Sequence, residues 1–161
     1  MLKKLIFSGL LIFSLVGCQG DPEAKDLANY IQQDLFNLET NLRAAKDQFQ
    51  VVKSQNEKAQ LGVIRSRVLL QLDKYLSGLK KIEPKTGLVL ALNEKGIQEV
   101  DESIQLIHEY RKALVKRDSH QVPLIRAKVD AALQDIEEWK TEIRLMAREK
   151  NITLPSERIK N

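Results

Sequence analysis

One cysteine, seven glycines, four prolines and 5% aromatics are all that 161 residues supply of these types. A lone cysteine excludes a disulfide framework and any multi-cysteine metal knot. So few turn formers and rings argue against a many-stranded β-sandwich. The plentiful Leu, Lys, Glu, Gln and Ala instead suit long helices. The length allows one domain with a real core and falls short of two ordinary ones. No phosphate-cradling glycine loop is present, nor a Gly-x-Ser-x-Gly elbow.

The two histidines lack the neighbours that metal chemistry needs. His108 is followed by Glu109, but the second His of an HExxH site would fall at position 112, where Lys112 stands. The Glu-x-x-His of di-metal bundles fails too, because Gln105 and Arg117 precede His108 and His120 by three. Carboxylates such as Asp101, Glu102, Glu137, Glu138 and Glu142 are interleaved with Lys and Arg. None of them falls on an apolar seam, where burial would tune it as a general acid. The chain is therefore expected to be non-enzymatic, with no cofactor and no metal. Trp139, Tyr75 and Phe49 fall on seams and read as core, while Tyr110 and Arg111 are the nearest approach to a partner-facing pair and equally fit a packed helix flank.

Residues 1–20 have a different character. Lys3 and Lys4 precede an almost purely apolar run from Leu5 to Val16, too short for the ~20 residues of a spanning helix. Leu15-Val16-Gly17-Cys18 follows and resembles the lipobox of bacterial lipoproteins. The resemblance covers only these first residues. It implies cleavage between Gly17 and Cys18, a diacylglyceryl thioether on Cys18 and acylation of its amine, commonly as palmitate. Two or three chains at ~0.8 kcal/mol per buried methylene hold a protein firmly to a bilayer. The sorting rule of enteric lipoproteins implies, from Gln19, an outer-membrane anchor facing the periplasm in a host with two membranes. Removing 1–17 leaves 24 basic residues against 22 acidic, a balance that gives nucleic acid no overall footprint.

Heptad spacing predicts an all-α fold: an antiparallel, up-down-up-down four-helix bundle following the cleaved signal peptide. Residues 18–21 form the tether, 22–150 the bundle and 151–161 a tail. The first helix, about 22–53, carries Ile31, Leu35, Leu38, Leu42, Ala45, Phe49 and Val52 in a 4-3 alternation. The pattern restarts at Leu61, so a corner is expected at Ser54-Gln55-Asn56-Glu57; an unbroken rod would give a three-helix bundle instead. The second helix, about 55–82, runs on Ile64, Val68, Leu72, Tyr75 and Leu79. The third is expected over about 93–117, or from near Pro84. The fourth, about 120–150, runs on Val129, Ala132, Ile136, Trp139, Ile143 and Met146, with Ser119 as its cap.

In that topology the end of the second helix returns to the membrane. There the apolar run Leu88, Val89, Leu90, Ala91, Leu92 lies beside Lys80, Lys81 and Lys85. It could touch lipid while the lysines meet headgroups, or it could close the bundle core as the first turn of the third helix. The partners expected are the bilayer, through acylated Cys18, and an envelope protein, but no nucleic acid. The alternative is a carrier or sensor of a hydrophobic small molecule, opening at Gly62 and Gly78.

Overall fold

The computed structural model describes residues 20–154. Gly17 and Cys18 lie outside the described residues, as do Arg158 and Lys160 of the tail. Among the described residues the chain is all-helical, with four long helices at 22–52, 57–79, Gly87–Lys116 and Gln121–Glu149. None of these is long and apolar enough to cross a membrane.

Each helix begins where a side chain can satisfy its free N–H groups. Asp21 accepts from the Glu23 N–H at 3.0 Å, with Pro22 in the first turn. Asn56 opens the second helix by accepting from the Ala59 N–H at 3.0 Å. Asp118, rather than Ser119, serves the fourth helix, its Oδ1 accepting from the N–H groups of His120 and Gln121. The third helix begins six residues before 93. Thr86 has an extended backbone and its hydroxyl accepts from the Val89 N–H, so Gly87 starts the helix and 88–92 are already helical. The second helix correspondingly stops at Leu79, and residues 80–82 form a tight turn in place of its last predicted residues.

Two helices contain a wide, π-type turn, at Tyr30–Leu35 and Ile64–Val68. Such a turn adds about one residue to the local repeat and rotates the apolar seam. Leu27 is buried before the first such turn, Tyr30 and Ile31 at its start, and Leu42, Ala45, Phe49 and Val52 after it. One core joins these to Ile64, Leu72, Tyr75 and Leu79, to Val100, Ile104 and Ile107, and to Val129, Ile136, Trp139 and Ile143.

The fourth helix closes through backbone geometry. Asn151 adopts a left-handed φ of 56°, its N–H reaches Arg148 O, and the Ile152 N–H reaches Ala147 O. The chain then turns back, burying Leu154. The Gln32 side chain donates to Thr153 O at 2.9 Å, so the start of the predicted tail is packed structure.

Candidate functional site

Contacts between helices define two groups of residues. In the first, the Lys150 ammonium meets Asp21 at 2.8 Å and Glu23 at 3.2 Å. Asp26, although charged, is buried. One of its oxygens accepts from the N–H groups of Lys85 and Thr86, at 2.9 and 2.8 Å, and from the Thr86 hydroxyl at 2.8 Å. The first helix thereby pins the loop that precedes the third. Buried Asn93 bonds in two directions, accepting from the Tyr30 hydroxyl at 3.2 Å and donating to Leu79 O at 3.1 Å. Trp139 donates its indole N–H to Leu92 O at 2.8 Å. It can approach that backbone because Gly96 has no side chain: a Cβ there would overlap the indole ring.

The apolar run at the start of the third helix lies beside this network. Val89 and Leu92 are buried, Leu88 is half-buried against the core, and Leu90 is exposed. Lys80, Lys81 and Lys85 are exposed around it.

The second group surrounds the two remaining corners. Tyr110 is buried, stands edge-on to Phe49 with ring centroids 6.0 Å apart, and donates to Gln60 Oε1 at 2.9 Å. Gln60 donates in turn to Gln55 O at 2.7 Å, closing the first corner. Lys53 pairs with Asp130 and lies over the Phe49 ring. Tyr110 is thus a core residue, the packed-flank alternative of its two sequence readings, and Arg111 beside it is half-buried. Arg117 ends the third helix with a φ of 53°, the left-handed position that glycine fills most easily.

Charge divides between the same two groups. The segments 43–67 and 111–130 carry twelve Lys and Arg against four Asp and Glu. The other residues from 20 to 154 carry ten against seventeen. The near-neutral total therefore conceals a strongly basic pair of segments and an acidic remainder. Where acids crowd, their protonation shifts. Burial pushes the Glu99 carboxyl up, helped by the neighbouring carboxylates of Asp135 and Glu102. Burial likewise raises Asp34, with Asp26 adding to the effect.

Between the two lies an ion-pair ladder linking the first and fourth helices. Lys46 meets Glu137 at 2.7 Å, and buried Lys140 meets Glu39 at 2.8 Å and Glu137 at 3.5 Å. Burial alone would raise Glu137, but Lys46 and Lys140 outweigh it and hold the carboxyl below its ordinary value.

Three grooves among the described residues are open to solvent. One of about 300 Å³ follows the ladder between Glu39, Arg43, Glu137 and Arg144. Two others, of about 320 and 440 Å³, are edged by Asp101, Glu102 and Glu109 and by Glu138, Glu142 and Glu149. Gly78 is occupied by the Leu38 side chain, whereas a Cβ at Gly62 would meet only open space. His108 is half-buried and His120 exposed. Among the described residues no group of His, Cys, Asp or Glu is arranged to hold a metal ion. Compared with protein-family models, curated proteins and solved structures, the chain matches none.

Proposed function

We propose that the protein is a lipid-anchored, extracytoplasmic adaptor, a non-enzymatic accessory or regulatory subunit that binds another envelope protein. The observation that carries this reading is the order of the sequence: a lipobox-like Leu15-Val16-Gly17-Cys18 a few residues before a capped helix of a four-helix domain. In an up-down-up-down arrangement, helices of about 30 residues at 1.5 Å each hold their far corners ~45 Å from the anchored end. Contacts such as Lys150 with Asp21 and Lys53 with Asp130 are consistent with that arrangement. The loop at 80–86 and residues 151–154 then face the membrane, and the corners at 53–56 and 117–120 face away. The ionisable side chains support an adaptor because those that are buried hold helices together: Asp26 pins a loop and Lys140 ties two helices. A carrier of hydrophobic ligands draws less support, since the described grooves are open and edged by carboxylates.

The test is metabolic labelling with an alkyne fatty acid, followed by membrane fractionation of the full-length protein and its Cys18→Ser variant. Labelled, membrane-bound protein whose signal and attachment both vanish in Cys18→Ser is the expected result. An unacylated protein released freely from the cells would overturn the reading.

A further inference from the structure

The basic segments bring exposed cations and exposed aliphatic side chains together on the same stretches of chain. Lys112, Lys116, Arg117 and Lys128 are exposed and form no ion pair with any described residue. Aliphatic side chains lie on the same segments: Val115 is 65% exposed, Leu124 50% and Val51 46%. We propose that these segments dock an acidic face of another envelope protein. The proposal rests on the anchored-adaptor reading and specifies where the partner binds and what it presents.

Charge complementarity selects the occupant. An excess of cations around aliphatic groups matches a protein interface, with apolar contacts inside and a polar rim outside. Opposite charge on the partner would steer the encounter and fix its register. An anionic bilayer fits less well, because binding at a membrane interface favours exposed rings among the cations. Phe49, the one aromatic residue of these segments, and Tyr110 next to them are both buried. A second copy also fits poorly: copies anchored through the same end stand parallel, which puts like charge beside like charge. Nucleic acid could satisfy the cations but would leave Val115 and Leu124 without a counterpart. Arg117 gives independent support, since the chain holds a long cation at a backbone position that suits glycine.

The experiment places a photo-crosslinking amino acid at Val115, Leu124 or, as control, Leu145 of the full-length protein in its own envelope. Leu145 is equally exposed but lies among the carboxylates of the fourth helix. The expected result is a crosslink from Val115 and Leu124, and not from Leu145, to a polypeptide whose captured segment is net acidic. Lys116→Glu combined with Lys128→Glu should reduce that product about tenfold or more, whereas the paired Lys→Arg changes should preserve it. Circular dichroism of both variants checks that the helices remain. Crosslinks to lipid, nucleic acid or a second copy would overturn the proposal. So would equal yields at all three positions, absence of product, or a product indifferent to charge reversal. Because acylation is scored in the same cells, the two failures separate. An acylated protein without the acidic crosslink refutes the docking surface, and an unacylated one refutes the anchored adaptor.

Discussion

The two groups of inter-helix contacts are built on different principles. Around the 80–86 loop, polar groups are buried and used: Asp26, Asn93, Tyr30 and Trp139 each bond to a neighbouring helix or loop. Around the other corners one buried polar relay, Tyr110 to Gln60 to Gln55 O, does comparable work, and most of the charge faces water. Buried hydrogen bonds fix one geometry because leaving any of them unmade is costly. Exposed like charges do little for stability, yet they create a field that another molecule can feel. Buried, bonded polar groups therefore concentrate in one group of contacts and exposed cations in the other.

Substitutions that test packing should separate the two groups most sharply. Gly96→Ala drives a methyl into the Trp139 ring and should destabilise by roughly 3 kcal/mol, the upper range for overpacking. Gly62→Ala, on the opposite side of the comparison, meets open space in a helix and should stabilise by about 0.5–1 kcal/mol. Chemical denaturation of the two variants checks both signs; equal effects would erase the contrast. Next in size is Asp26→Ala, which strips the acceptor from two backbone N–H groups and a hydroxyl and should cost about 2–3 kcal/mol. Asp118→Ala removes a cap in the other group and should cost only about 1 kcal/mol. Hydrogen exchange should then show the first turns of the third helix opening in Asp26→Ala, with the fourth-helix corner unchanged.

The helices and most of their seams were legible because apolar spacing is a local signal. Leu42, Phe49, Ile107, Ile136 and Trp139 can be placed from heptads alone. Buried polar groups were not legible in that way. Asp26 and Asn93 look like surface residues until the partners that satisfy them arrive from other helices. The start of the third helix, which the sequence left between Pro84 and Asn93, falls near Pro84, where Asp26 holds the residues before it. Gly96 did carry a signal: glycine inside a helix costs about 1 kcal/mol and calls for a packing reason. The charge division was hidden by summing over the chain; it emerges only when segments distant in sequence are taken together. Membrane attachment is a different case, because Cys18 lies outside the described residues and the lipobox resemblance stands on sequence alone.

Acid should act through the ladder that joins the two regions. Glu137 is held below its ordinary value in the folded protein, so its pairing with Lys46 and Lys140 contributes fully above the unfolded value of 4.5. That contribution fades as pH falls through the lower folded value. Glu99 and Asp34 have the opposite sign: their raised folded values mean that protonation relieves repulsion and desolvation on the way down. Glu137→Gln should therefore lose about 0.5–1 kcal/mol near pH 7, with solvent screening keeping the effect small, and converge with the parent only once pH has fallen through the lowered folded value. Melting curves across that range test the sign. A gap that widened in acid would assign the stabilising carboxylate elsewhere.

Arg117→Gly should have a stability effect as small as that of Glu137→Gln, and it tests the contrast between the two groups most directly. Glycine relieves the left-handed backbone, worth about 1–2 kcal/mol, but adds freedom to the unfolded chain. The net expectation is a gain of about 0.5–1 kcal/mol. The same change removes an exposed cation from the basic segments, so crosslinking from Val115 should weaken as the melting temperature rises. Opposite movement of the two readouts is what a surface built for binding at some cost in stability requires. If both rose together, or if crosslinking were unmoved, the side chain at 117 would have no part in docking. The strain at that corner would then be a feature of the turn alone.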